Sequence, residues 1–219
     1  RDVQDIVRQG RAVTIGQWRV RLPAVFGFCA GVMKAVKRVD DVVQKHPDKQ
    51  IWLLGELIHN DTVNRAFKES GVHMLHSDEV GKIFRMAEPD DRVIIPAFGL
   101  PKRLESALYD RFGENNIVNT TCDYIKQIWD FVEEMAGAGK TIIIYGDPHH
   151  AETEATVSRA TEHPHSSVVI LPDRTMLPQL EETVFQGDVS SYPSELVKQK
   201  ENIRLRDLAF TEQTTKLYN

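Results

Sequence analysis

NIVNTTCDYIKQIWDFVEEMAGAGKTIIIYGDPHHAE, residues 116–152, holds the pattern that decides the fold. NIVNTTC (116–122) reads as a short strand ending in cysteine. Tyr124, Ile125, Ile128, Trp129 and Val132 then recur at helical spacing. Gly137 and Gly139 end that helix, and TIIIY (141–145) is a buried strand. It runs into GDPHHAE (146–152), a polar stretch carrying histidine and acid.

The same plan stands upstream. FGFCAGV (26–32) contains a cysteine, and Met33, Val36, Val39, Val42 and Val43 follow at helical spacing. IWLL (51–54) is a buried strand that runs into GELIHN (55–60), with Asp61 placed to cap a helix. RVIIPAFG (92–99) is a further strand and loop, and Leu104, Leu108 and Phe112 mark a further helix. Downstream, SSVVIL (166–171) reads as a strand, SELVKQKE (194–201) as a helix, and LAF (208–210) as a last short strand before TEQTT (211–215). Residues 1–16 read as a short polar helix, and Trp18, Val20 and Leu22 alternate at strand period.

Cys29 precedes His59, and Cys122 precedes His150, by nearly equal spans. Strand–helix alternation repeated in this way predicts an α/β fold of small parallel-sheet domains. The divisions expected are an N-terminal extension at 1–23, a first domain at 24–118 and a second at 119–219. Ligands in such sheets collect at the carboxyl ends of strands. The repeat puts both cysteines and both histidine loops at that edge.

Composition excludes several classes. Hydrophobic residues are 41% and charged residues 27% of the 219, an ordinary globular balance. The net charge of −5 exerts no global pull on nucleic acid or on an anionic membrane. The longest apolar runs are too short to span a bilayer. Two cysteines do not make a disulfide framework. The chain begins at Arg1, so a natural N-terminus is expected upstream.

Each candidate residue carries two readings on the residues alone. Cys29 and Cys122 both open a helix, where the dipole and free N–H groups favour a thiolate; buried cysteine also serves as a small hydrophobe. Two thiolates do not complete a usual zinc or iron–sulfur ligand set. His149, His150, Glu152 and Glu154 form either a proton-relaying, anion-binding group or a solvated polar loop. Glu152 and Glu154 share a face in extended chain and not in a helix. His59 has the same status, whereas His73, His76, His163 and His165 read as solvated connections.

Taken in order, GFCAGVMKAV, GELIHN, IIPAFG, NTTCDYIKQIW, GDPHHAETEAT and TEQTT resemble the hydroxymethylbutenyl diphosphate reductase (LytB/IspH) family over about residues 24–219. That resemblance implies two of three α/β domains in a pseudo-threefold set, with the third beyond Asn219. It implies a [4Fe-4S] cluster, with Cys29 and Cys122 as two of its ligands and a third cysteine not in this chain. His59 and His150 are then the histidines that contact the substrate diphosphate, Glu152 the proton-delivering carboxylate and Thr214 the hydroxyl in its relay. The implied reaction is reductive dehydroxylation of the non-mevalonate isoprenoid pathway, in the cytoplasm, with a ferredoxin- or flavodoxin-type electron donor and no nucleic-acid or membrane partner. Five positions depart from the family pattern. Phe98 stands where a histidine is usual, Val25-Phe26 where Pro-Arg is, and Asp123 and Ala151 where prolines are. Phe98 removes a donor from a charged site, which is expected to weaken anion binding and leaves open a diverged or truncated homologue that acts on another substrate or is a cluster-free diphosphate-binding module.

Overall fold

A computed structural model describes residues 3–24, 26–186, 192–198 and 207–214. Helix α1 (Val3–Arg8) leads into a two-stranded antiparallel hairpin, β1 (Ala12–Ile15) and β2 (Trp18–Arg21). The single helix expected over 1–16 is therefore shorter and gives way to a strand. The alternation at Trp18 and Val20 does mark a strand, but all four residues of β2 are exposed. Two residues per turn of pattern fix the extended backbone, not what covers it.

The chain then passes through Cys29 into α2 (Ala30–Lys45), β3 (Ile51–Leu54), α3 (Asp61–Glu69), β4 (His73–Leu75), α4 (Ile83–Met86), β5 (Arg92–Ile95), α5 (Lys102–Phe112) and β6 (Ile117–Asn119). The strands form one parallel sheet in the order β4-β3-β5-β6. Its core shows why. Ile51 and Leu53 of β3 and Ile94 of β5 face a cluster with Ala35 and Val39 of α2. Trp52 and Leu54, with Val93 and Ile95, face the other side, against Leu108 and Phe112 of α5. Alternate residues thus feed two cores, and a strand buried on both faces reads as a continuous apolar run.

The second unit comprises α6 (Asp123–Gly137), β7 (Thr141–Tyr145), α7 (Ala151–Ala160), β8 (Ser167–Leu171), α8 (Leu177–Gln186), β9 (Val197–Lys198) and β10 (Leu208–Glu212). Its sheet runs β10-β7-β8-β9, with β9 antiparallel to β8 and the others parallel. Ile142, Ile144, Val168 and Ile170 anchor one core with Val132 and Ala136 of α6. The helix expected over 194–201 does not form in its described part. Ser194–Leu196 is a 3-10 turn and Val197–Lys198 pairs with β8, while 199–201 lie outside the described residues. Sheet pairing overrides the helical propensity there. Among the described residues no helix is long and apolar enough to cross a membrane.

Candidate active site

The loops after β3, β5, β6, β7 and β10 leave the carboxyl ends of the two sheets and meet. Cys122 follows β6 directly: Thr120 and Cys122 donate backbone N–H bonds to Ile95 and Ala97 at 3.0 Å each, which extends the sheet edge to the thiol. Cys29 is different. It follows the hairpin rather than a strand of the parallel sheet, so the two half-repeats are alike from the cysteine onward and not before it.

Both cysteines are helix N-caps, Cys29 of α2 and Cys122 of α6. Cys29 Sγ accepts the Val32 N–H at 3.4 Å. The two sulfurs converge over Gly31. A Cβ on that residue would lie 2.9 Å from Cys122 Sγ and 3.9 Å from Cys29 Sγ. Lys34 and Asp123 tie the two helices together by an exposed ion pair at 2.7 Å, and Lys34 holds the Asp123 carboxyl below its usual range. Asp123, one of the departures from the family pattern, thus has a partner on α2.

GELIHN is held from beneath. Leu57 and Ile58 are buried. The Leu57 N–H donates to Asn64 Oδ1 at 3.2 Å, and Asn64 Nδ2 donates to the Ile58 carbonyl at 2.9 Å. The cap of α3 is Asn60, whose Oδ1 accepts from Val63 N–H, and Asp61 is the first helical residue rather than the cap. His59 projects from this stapled loop. Its Nδ1 is 3.1 Å from Glu56 Oε2 and its Nε2 is 2.6 Å from His150 Nε2. Phe98 closes the group: its ring stacks on His59 at 4.3 Å and meets His150 edge-on at 5.2 Å. Phe98 and Cys122 both pack against the buried cluster of Ile125, Trp129 and Ala155.

GDPHHAETEAT is not a solvated loop along its length. It turns at Asp147, whose N–H donates to Gln213 Oε1 at 2.9 Å, and becomes α7 at Ala151. His150 is the N-cap, its Nδ1 accepting the Glu152 N–H at 3.1 Å. Burial and the neighbouring His59 depress His150 to about 4, against a smaller opposing pull from Asp147. Glu152 is 2% exposed. Its Oε1 accepts the Thr214 N–H at 2.7 Å and its Oε2 is 2.8 Å from Thr214 Oγ1. Burial raises the Glu152 pKa, although both Thr214 bonds and His59 work to lower it. Glu154 points away from it and is exposed, as helical geometry requires. Thr215 and Val25 lie outside the described residues.

The two histidines line a cleft of about 700 Å³ with Phe98, Arg65, His149 and Glu154. Cys29, Cys122, Glu152 and Thr214 do not line it. Among the described residues no group of three or more His, Cys, Asp or Glu is placed to hold a metal ion. Glu56, Asn64 and Gln213 had no separate signal in the sequence beyond the Glu56–His59 spacing. Their roles depend on contacts across the fold.

Two thiols at helix caps and a histidine–carboxyl group thus lie at the carboxyl ends of the strands of an α/β protein. A model of the LytB protein family matches residues 20–219, and the chain belongs to that family. It is 36% identical over 158 residues to the 4-hydroxy-3-methylbut-2-enyl diphosphate reductase of a Synechococcus species, covering 72% of this chain and 39% of that protein. The chloroplastic reductase of Botryococcus braunii is 39% identical over 143 residues, 65% of this chain and 28% of its own. The chain therefore spans about two-fifths or less of the curated relatives named here. The fold is that of solved E-1-hydroxy-2-methyl-but-2-enyl-4-diphosphate reductase from Plasmodium falciparum, with a TM-score of 0.61 at 20% identity over 86% of this chain and 49% of that one. A second solved reductase, the terminal enzyme of the non-mevalonate pathway, gives 0.60 at 20% identity, over 85% and 64%.

Proposed function

We propose that this chain supplies two domains, 24–118 and 119–219, of a reductase that converts hydroxymethylbutenyl diphosphate to isopentenyl and dimethylallyl diphosphates. The reaction consumes two electrons and two protons and releases the hydroxyl as water. The observation that carries this reading is the buried Glu152–Thr214 pair beside two histidines at the carboxyl ends of strands. A carboxyl whose pKa is raised holds a proton for a leaving hydroxyl. Thr214 orients that carboxyl by bonding both of its oxygens. His59 and His150 line the cleft that would receive the diphosphate, and Arg65 adds charge to it.

Cys29 and Cys122 would hold part of a [4Fe-4S] cluster. They suit it in donor type and placement: two thiols at helix N-termini, both within 4 Å of the position a Gly31 Cβ would fill. When bound, such a cluster supplies electrons and an iron that acts as a Lewis acid toward the hydroxyl oxygen. The remaining ligand comes from outside the described residues. A low-potential ferredoxin- or flavodoxin-type protein in the cytoplasm is the proposed electron donor.

Kinetics of the full-length protein test the assignment. Glu152→Gln keeps the shape of the side chain but has no acid proton, so kcat should fall about 10²–10⁴-fold with binding much less affected. Glu154→Gln should change the rate by less than about tenfold. Equal, small effects would reject the proton relay. Phe98 favours a second reading, a homologue that takes another diphosphate or binds one without turnover. Its ring packs against both histidines, stacked on His59 and edge-on to His150. Turnover of hydroxymethylbutenyl diphosphate by cluster-loaded protein would exclude it.

A further inference from the structure

The facing Nε2 atoms of His59 and His150, 2.6 Å apart, leave room for one proton between them. The backbone decides which ring owns it. His150 Nδ1 accepts the Glu152 N–H, so its lone pair is used and its proton sits on Nε2. His150 therefore donates, and His59 Nε2 accepts. The His59 proton is then on Nδ1, aimed at Glu56 Oε2 at 3.1 Å. Both rings are neutral in this arrangement, and neither has an N–H free for a ligand.

An anion cannot join this closed chain without changing it. If His59 gains a proton on Nε2, two N–H groups face each other and the rings must part. Both then point into the cleft they line. We propose that Glu56, His59 and His150 act as a proton-coupled clamp for a diphosphate: the anion binds as His59 takes one proton from solvent at Nε2, and Glu56 is the positioning residue that supports the resulting imidazolium. This rests on the reading that the two histidines receive the diphosphate, and it adds the proton and the role of Glu56.

The surroundings agree in sign. Glu56 belongs to the loop after β3 and Asp147 to the loop after β7; both favour a cation at the histidine pair, and Glu152 of α7 does so only in its ionised form. The β5–α5 loop contributes only the uncharged Phe98 ring. Farther along the cleft Asp61, Asp78 and Glu154 are opposed by Arg65 and Lys68. The low pKa of His150 is consistent with its remaining the neutral donor throughout.

Imidazole ¹⁵N NMR on histidine-labelled protein, at fixed pH near 7.5 and with inorganic pyrophosphate as the probe, reads the tautomers directly. The free protein should show His150 protonated at Nε2 and His59 at Nδ1. Saturating pyrophosphate should turn His59 into an imidazolium and leave His150 neutral. Glu56→Gln, exposed and able to accept the same Nδ1–H bond, should keep both free tautomers. It should bind pyrophosphate about tenfold more weakly, because the imidazolium loses its counter-charge. Perturbed rings with His59 still neutral would overturn the proton coupling while leaving diphosphate binding intact. Unchanged affinity in Glu56→Gln would overturn the role of Glu56. No response of either ring would sink the diphosphate reading and the clamp together.

Discussion

A histidine at a helix cap and a carboxyl one residue into the same helix are driven in opposite directions. Burial depresses His150 from 6.5 to about 4 and raises Glu152 above 4.5. Between about 6.5 and about 4 the unfolded chain binds a proton at His150 that the folded chain does not. Stability therefore falls as pH falls through that window. Glu152 acts the other way. Its folded form holds its proton above 4.5, so its contribution is lost as pH rises through the raised pKa. The two partly cancel in the wild type. His150→Gln should remove up to one proton from the slope of stability against pH between about 6.5 and about 4. Urea unfolding at a series of pH values measures this, and an unchanged slope would mean that His150 is not held neutral. The six residues singled out from sequence, Cys29, Cys122, His59, His150, Glu152 and Thr214, fall into one thiol pair, one ring pair and one carboxyl–hydroxyl pair. The residues that set their geometry were less legible, because Glu56, Asn64 and Gln213 are ordinary polar residues until the fold gives them partners.

At the scale of elements, apolar runs and the polar helix α3 were legible, and the polar helix α7 was not. IWLL, RVII and TIIIY form strands as their patterning predicts. Helix α7 was hidden because Glu152, Thr153, Thr156 and Arg159 are buried without being apolar. Each is covered by pairing instead: Glu152 by Thr214, Thr153 by Gln213, Thr156 by its bond from Trp129 Nε1. Arg159 reaches Glu105 on α5 at 2.5 Å, donates to the Leu100 carbonyl and lies 3.2 Å over the Trp129 ring. The loop before α5 must let that ring in. Gly99 has φ +76°, and a Cβ there would stand 2.2 Å from Trp129 Cη2. Gly139, with φ +71°, would meet only ordinary contacts beyond 3.5 Å. Gly99→Ala should therefore cost about 2–4 kcal/mol, from backbone strain and overpacking together. Gly139→Ala should cost about 1–2 kcal/mol from the backbone alone. Denaturant unfolding separates them, and equal losses would show that the Trp129 approach is not what requires glycine at 99.

Over the whole molecule, the repeat read from the sequence corresponds to two four-stranded sheets whose connections are joined through α5, α6 and α7. Lys102 illustrates the join: its N–H donates to Ser158 on α7 and its Nζ to Glu133 on α6. The repeat was legible because parallel strands buried on both faces write themselves as apolar runs. Strand β1 of the hairpin and the antiparallel β9 were not, since neither depends on a buried stripe of its own, whereas alternation at Trp18 and Val20 marked β2. This joining brings two cysteines from different units over the same glycine. The proposed reductase needs both thiols on one iron–sulfur group. The direct measurement is the visible absorption, with iron and sulfide content, of anaerobically purified full-length protein and its Cys29→Ser and Cys122→Ser variants. Each substitution alone should abolish the iron–sulfur absorption while the fold, followed by circular dichroism, persists. Variants that keep the wild-type spectrum and lose only a little stability would contradict it, and would leave Cys29 and Cys122 as packing residues.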